Sequence, residues 1–439
     1  MKKKNFIIGE INVNNDIKKL RIINSCKANK EKLEKTKIKI NGKTLDKFSY
    51  FHKFYKKGKY TIEYEFESNL EKTSYMFSKC ESFTYLDISN LNSDSITDMS
   101  SMFSGCKSLK KIILLDFKTE KVIDMSYLFS GCKSLENIDL SGFNTENVIN
   151  MSNMFSGCEI LRNLDLSKIQ TDNVTNMSNM FSECVTLSNL DLSNFKNIEK
   201  LIDISYLFSG CKSLENLGIS NFNTENITNM SNLFSGCEKL KNIDLSNFKN
   251  TEKLSDISSM FSGCESLTNI NLSQLNTKNV TDMSYMLFGC KSIMNIDFSN
   301  FKTENVIDMS WMFSGCESLI EINLSNFNTE NVKDMSWMFS GCKSLIDINL
   351  SNFNSNHIND INSMFARCKK LNIINLSNLK TGDDTNMCCI FNGCKALTKV
   401  ILSNFNTINE KNLFSMFSGA KPLIECNNKG AKEAMIKEL

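Results

Sequence analysis

Proline occurs once in the 439 residues and histidine twice, as His52 and His357. Two imidazoles far apart in sequence exclude a locally built His general base and a His-rich metal site. No apolar run approaches the roughly 18 residues that a membrane-spanning helix needs. The start, Lys2-Lys3-Lys4, is followed only by Asn-Phe-Ile-Ile-Gly before Glu10, too short for a signal-peptide core and without a small-residue cleavage site. No Gly-rich phosphate loop and no Cys-x-x-Cys pair occurs, so no cofactor, metal or enzymatic chemistry is expected. Glycine is also modest at 18, and 41% hydrophobic residues supply a continuous core rather than a disordered or collagen-like chain.

Cysteine, by contrast, is abundant and keeps time. Cys80, Cys106, Cys132, Cys158, Cys184, Cys211, Cys237, Cys264, Cys290, Cys316, Cys342, Cys368 and Cys394 recur every 26 residues, with two steps of 27. A fixed period in the range of 20–50 residues signals a solenoid. The unit is well seen in Met125-Ser-Tyr-Leu-Phe-Ser-Gly-Cys-Lys-Ser-Leu-Glu-Asn-Ile-Asp-Leu-Ser-Gly-Phe-Asn-Thr-Glu-Asn-Val148. Leu135-x-x-Ile138-x-Leu140 has the spacing of a leucine-rich-repeat strand, its leucines inward and Asn137, Asp139 and Ser141 outward. Phe143 follows as an inner support of the turn, and an apolar residue holds that place from Leu91 to Phe405. Val148 to Met151 reads as a second short extended piece. Ser152 then suits a helix N-cap and Gly157 a C′ stop, which predicts a short helix in each coil. The extra residues of the 27-residue steps fall in turns, at Lys196-Asn-Ile-Glu-Lys200 and Lys249-Asn-Thr-Glu-Lys253.

The expected fold is therefore a leucine-rich-repeat-like, right-handed repeat solenoid, a β-strand plus short helix per coil, with about fourteen coils stacked over roughly 60 Å. A small N-terminal β-rich cap domain over residues 1–68 precedes the solenoid at 69–427, and a tail at 428–439 follows. The cap region carries alternating strands and an Asn41-Gly42 hairpin turn, and the open end of a solenoid needs such a cover. It holds 18 Lys/Arg against 8 Asp/Glu, about +10, whereas the whole chain is +2. Such a piece suits an acidic partner, a membrane surface or nucleic acid, or a solvated face; without Arg and aromatic residues interleaved, nucleic acid is not expected. The tail reads as a short amphipathic helix over the last coil or as a frayed end.

The motif Met-Ser-x-Met-Phe-Ser-Gly-Cys-x-Ser-Leu-x-x-Ile-x-Leu-Ser-x-Phe-x-Thr-x-x-Val, repeated from residue 70 to about 425, resembles the BspA-type leucine-rich-repeat surface proteins. The resemblance implies a curved, β-rich recognition or adhesion surface and no chemistry. The expected role is a non-enzymatic protein-interaction scaffold; the alternative is a cell-surface adhesin exported without a visible signal.

The ladder cysteines read as buried free thiols, which favours a reducing, cytoplasmic location over the cell surface. Asn-x-Ser triplets on strands and helix caps weigh against passage through an ER, because glycans there would crowd the array. Cys389, off the ladder, is expected to be exposed and the most reactive thiol. On the outward strand face Asp139, Asp165 and Asp191 stack, so mutual repulsion should raise their pKa values. They are candidate partner contacts, or they merely solvate an exposed sheet. The position after the N-cap serine turns aromatic in three successive coils, Tyr285, Trp311 and Trp337, and these are the only two tryptophans. On the same coils the residue after Ser-Leu becomes apolar: Met294, Ile320 and Ile346. These six form the expected protein-binding patch, unless the rings fold back as core or cover a self-association ridge. No membrane insertion is expected, and the sequence sets no oligomeric state.

Overall fold

The computed structural model describes residues 5–195, 198–222, 224–355, 357–382, 384–406 and 409–439. The chain divides into two compact units, Met1–Asn223 and Thr224–Leu439. Lys196 and Asn197 of the first 27-residue step lie outside the described residues.

The first unit begins with strands β1 (Phe6–Val13), β2 (Lys18–Arg21), β3 (Lys37–Ile40), β4 (Lys43–Thr44), β5 (Phe51–Phe54) and β6 (Gly58–Glu65). A one-turn helix, α1 (Lys30–Leu33), precedes β3. The first strands of the repeats are β7 (Phe83–Asp87) and β8 (Lys111–Ile113). One sheet runs β4-β3-β6-β1-β7-β8, and β2 pairs with β5 separately. β1 lies antiparallel to β7, whereas β7 and β8 are parallel. The exposed ladder groups of the first coil strand are thus taken up by β1 rather than left as an open edge. Gly9 makes this approach possible, because a Cβ there would meet the Phe83 ring at 2.3 Å. Tyr64 is fully buried beneath the sheet and donates its hydroxyl proton to the Ile22 carbonyl.

The coils stack in parallel register. The expected strand column is regular in β9 (Asn189–Asp191) with β10 (Asn216–Gly218) in the first unit. In the second it is regular in β11 (Asn242–Asp244) with β12 (Asn269–Asn271), and in β13 (Ile373–Asn375), β14 (Lys399–Ile401) and β15 (Leu423–Glu425). A second column consists of single parallel bridges, Asp98↔Asp124↔Asn150↔Asn176 in the first unit and Asp256↔Asp282↔Asp308↔Asp334↔Asp360 in the second.

The segment expected as a short helix is instead a chain of β-turns hydrogen-bonded to the next coil. Ser130 N donates to the Tyr127 carbonyl at 3.1 Å and Cys132 N to that of Phe129 at 3.0 Å, closing turns within the coil. The alternate amides of Met125, Tyr127, Phe129 and Gly131 donate to carbonyls of Asn150, Ser152, Met154 and Ser156 in the following coil at 2.6–3.0 Å. A helix would have sent them backwards within its own turn. Tyr127 at φ 57° and Gly131 at φ 70° sit in the left-handed region and end any helical run. The serine is not the cap: Ser126 N donates to Asp124 Oδ1 at 2.8 Å, an Asx turn set by the residue two before it.

The core follows from the period. In the first unit Phe77, Phe103, Phe129, Phe155, Phe181 and Phe208 stack ring on ring, 5.5–6.0 Å apart and within 13° of parallel. In the second unit Phe234 and Phe261 stack, Leu287 interrupts, and Phe313 through Phe417 resume. Each ring buried is worth about 1.5–3 kcal/mol. The coil cysteines from Cys80 to Cys394 are buried, and none of them is in a disulfide. Their thiols also make hydrogen bonds: Cys132 Sγ donates to the Phe103 carbonyl at 3.3 Å and Cys342 Sγ to that of Phe313 at 3.2 Å. Thr303 and its counterparts Thr277 and Thr329 form a third buried ladder.

The tail is helical. α2 (Lys429–Ile436) is capped by the Asn428 side chain, which accepts from Ala431 N, and buries Ala431, Ala434 and Met435. Lys437 Nζ lies 2.6 Å from Glu410 Oε1 and Ser415 N donates to Glu438 Oε2 at 2.8 Å, tying the helix to the last coil.

Candidate functional site

Tyr285, Trp311 and Trp337 meet in one column on the second unit. Their ring centroids are 5.5 and 4.5 Å apart, with interplanar angles of 7° and 6°. Coil stacking sets this spacing: Tyr285 N donates to the Ser310 carbonyl, and Trp311 N to that of Ser336, both at 2.9 Å. All three residues hold left-handed φ values of 56–60°. For non-Gly residues that conformation costs about 1–2 kcal/mol each, and it turns the rings outward. Tyr285 is 37% exposed and both tryptophans are half-buried, their faces covered by one another.

Phe288 belongs to this cluster and was missed in the sequence. It lies edge-on to Tyr285 at 5.7 Å and to Trp311 at 5.8 Å. The signal was present, since this coil reads Leu287-Phe288-Gly289 where its neighbours read Phe-Ser-Gly. The swap removes a ring from the core stack and places one outside.

Met294, Ile320 and Ile346 form a separate apolar column, 58%, 47% and 50% exposed. Ile320 N donates to the Met294 carbonyl at 3.3 Å and Ile346 N to that of Ile320 at 3.4 Å. The residues after each of them line a shallow groove along three coils, through Asn295, Glu321, Asn323 and Asp347. No hydrogen bond or ring contact joins this column to the aromatic one among the described residues.

Beside the rings runs the bridge column Asp282, Asp308 and Asp334, each three residues before Tyr285, Trp311 and Trp337. Each carboxylate accepts from the serine amide two residues on, at 2.8 Å. Burial raises the Asp308 pKa above its usual value, with Asp334 and Asp282 adding to the rise. No ion pair reaches these carboxylates among the described residues.

Asp139, Asp165 and Asp191 lie in the first unit, exposed on the strand face as expected. Their pKa values are lowered, not raised. For Asp139 the hydrogen bonds from the Ser141 side chain and amide dominate, and repulsion from Asp165 is the weakest influence; for Asp165 and Asp191 the amides of Ser167 and Ser193 lead. Local donors outweigh like charges a coil apart in water. The acidic row is broken at Gly218, where a Cβ would sit 2.5 Å from Asp191 Oδ1.

Cys389, expected to be exposed and reactive, is half-buried, its thiol directed at the Phe414 carbonyl at 3.8 Å. Burial and then Glu438 raise its pKa, which disfavours the nucleophilic thiolate. In the ladder, burial pushes Cys106, Cys158, Cys211, Cys264, Cys316 and Cys394 up to about 12. His52 is packed on Phe54, and burial lowers its pKa. Among the described residues no group of three or more His, Cys, Asp or Glu could hold a metal ion.

Parallel coils of 26–27 residues, with inward leucines on one column and stacked rings in the core, define the class: a leucine-rich-repeat-like solenoid. The family described as "Mycoplasma protein of unknown function, DUF285" matches residues 71–195, 184–293, 267–374 and 344–429, and the chain belongs to that family. Among solved structures, a chain of the TLR13–ssRNA13 complex is similar at 19% identity and a TM-score of 0.26. That match covers 79% of this chain, which spans 55% of the other. No curated protein matches.

Proposed function

We propose that the protein is a non-enzymatic protein-interaction scaffold whose contact surface on the second unit is the Tyr285–Trp311–Trp337 column. The carrying observation is the partly exposed stack of three rings held in left-handed conformations. The same position is left-handed in other coils too, with Asn at Asn153, Asn179 and Asn232 and Tyr at Tyr75, Tyr127 and Tyr206; only Tyr285, Trp311 and Trp337 are aromatic in consecutive coils and stack. Strained, partly exposed aromatic residues cluster at contact sites. Met294, Ile320 and Ile346 extend the apolar surface on the same coils, and Asp139, Asp165 and Asp191 give the first unit an acidic strand face of its own. The reading includes the likeness to BspA-type surface proteins and no cofactor or nucleic-acid ligand. No helix among the described residues is long and apolar enough to cross a membrane.

That none of the seventeen cysteines is in a disulfide supports a reducing, cytoplasmic location. A cell-surface adhesin is the second reading, favoured by the BspA-type likeness; surface proteolysis of intact cells separates the two.

The test of the contact surface is W311N/W337N, which suits the left-handed backbone. Immobilised wild-type protein should retain a partner from an extract of the source cells that the variant loses by about 30-fold, equivalent to 2 kcal/mol. Equal retention of every captured protein would remove the column from the account.

A further inference from the structure

Six N-terminal cations, Lys18, Lys19, Arg21, Lys53, Lys56 and Lys57, are gathered by the fold on one pair of strands and the loops beside it. β2 and β5 pair with Arg21 opposite Phe51 and Lys19 opposite Lys53. The Arg21 guanidinium lies 4.4 Å over the Phe51 ring and Lys19 Nζ 5.3 Å over it, while Lys53 Nζ lies 5.4 Å over Tyr55. Arginine and aromatic residues that are distant in sequence are therefore interleaved in space.

Two loops end this strand pair, the one entering β2 and the one between β5 and β6. Lys57 N donates to Asp16 Oδ1 at 2.8 Å and holds the loops side by side. Their tips are apolar, Ile17 at 64% and Tyr55 at 67% exposure. Ile17 has φ 54°, a strained value for a β-branched residue that Asn or Gly would occupy more cheaply. Around the tips stand Lys18, Lys19, Lys53, Lys56 and Lys57, all exposed, and none is in an ion pair among the described residues.

We propose that this loop pair docks the protein peripherally on an anionic lipid surface. Ile17 and Tyr55 enter the headgroup layer, and the lysines remain among the phosphates. Paired apolar tips within a ring of five lysines, against the one carboxylate of Asp16, match an interface that is apolar inside and negative outside. A polyanion in water has no use for the aliphatic tip, and its bases would find the Phe51 and Tyr55 ring faces already occupied by cations.

The experiment is sedimentation of the full chain with vesicles of phosphatidylcholine alone or with about one third phosphatidylglycerol. The wild type should bind the anionic vesicles and leave the neutral ones. K19Q/K53Q should weaken binding about 30-fold, at roughly fivefold per charge, and I17N/Y55S, which keeps every lysine, at least about tenfold. Lack of binding to anionic vesicles overturns the proposal. So does I17N/Y55S binding like the wild type, or an oligonucleotide or polyglutamate that displaces the vesicles and binds both forms equally; the site would then belong to a soluble polyanion.

Discussion

The buried threonine ladder offers a quantitative probe of how the coils hold together. Thr303 is 1% exposed, its hydroxyl donates to the Asn328 carbonyl at 2.8 Å, and it accepts from Asn328 N at the same distance. One side chain thus clamps both backbone groups of the next coil's turn. The pattern recurs at Thr277 with Lys302 and at Thr145 with Gln170. Replacing Thr303 by Val keeps the shape and removes both bonds. Each bond contributes about 0.5–1.5 kcal/mol net, and a donor left unpaired costs about 1–3 kcal/mol, so T303V should lose roughly 2–3 kcal/mol. T303S keeps the hydroxyl, deletes one methyl and should lose about 1 kcal/mol. Urea titration followed by circular dichroism reads the difference as a shift of midpoint at unchanged slope. The clamp reasoning fails if T303V stays within about 0.5 kcal/mol of the wild type, or if T303S costs as much as T303V.

Three further outcomes follow from the geometry. Burial pushes Cys106, Cys158, Cys211, Cys264, Cys316 and Cys394 up to about 12 from an ordinary 9.0, so their stabilisation is complete below pH 9 and is lost as pH rises toward 12; unfolding followed against pH should show a steep alkaline loss in that window, and a flat profile would contradict the burial. Asp139 should titrate below its ordinary 3.8 by carboxyl NMR, and a value above it would restore the repulsion argument. G9A drives a methyl into the Phe83 ring and should cost about 1–3 kcal/mol, measured by thermal unfolding; no change would mean that β1 does not pack on the first coil as described.

Much of this architecture was legible because a solenoid repeats its physics. The inward set Leu135, Ile138 and Leu140 follows from strand alternation, and the burial of Cys132 from its place between Gly131 and Leu135. The helix failed for a specific reason. Ser-x-Met-Phe-Ser-Gly carries the local signals of a capped helical turn, but the neighbouring coil offers carbonyls that take every second amide, and one coil read alone cannot show that competitor. Thr145 lies in the turn after Phe143 and is 1% exposed; nothing within one coil marks it for burial, since its ladder exists only between coils. The strand-face aspartates were misread because Ser141 and its counterparts, two residues on, supply donors that the charge pattern alone ignores. At the candidate site, Tyr285, Trp311 and Trp337 were visible as a departure from the repeat. Phe288 was visible too, as a transposition, and only the stack shows where its ring goes.

A partner seated on the aromatic column would meet a built-in reporter, because both tryptophans of the protein are in the stack. The captured partner is titrated into wild-type protein while tryptophan emission is recorded. Occupation of the column predicts a saturable blue shift, with acrylamide quenching falling in step with the bound fraction. Full binding with unchanged emission and unchanged quenching would place the partner elsewhere.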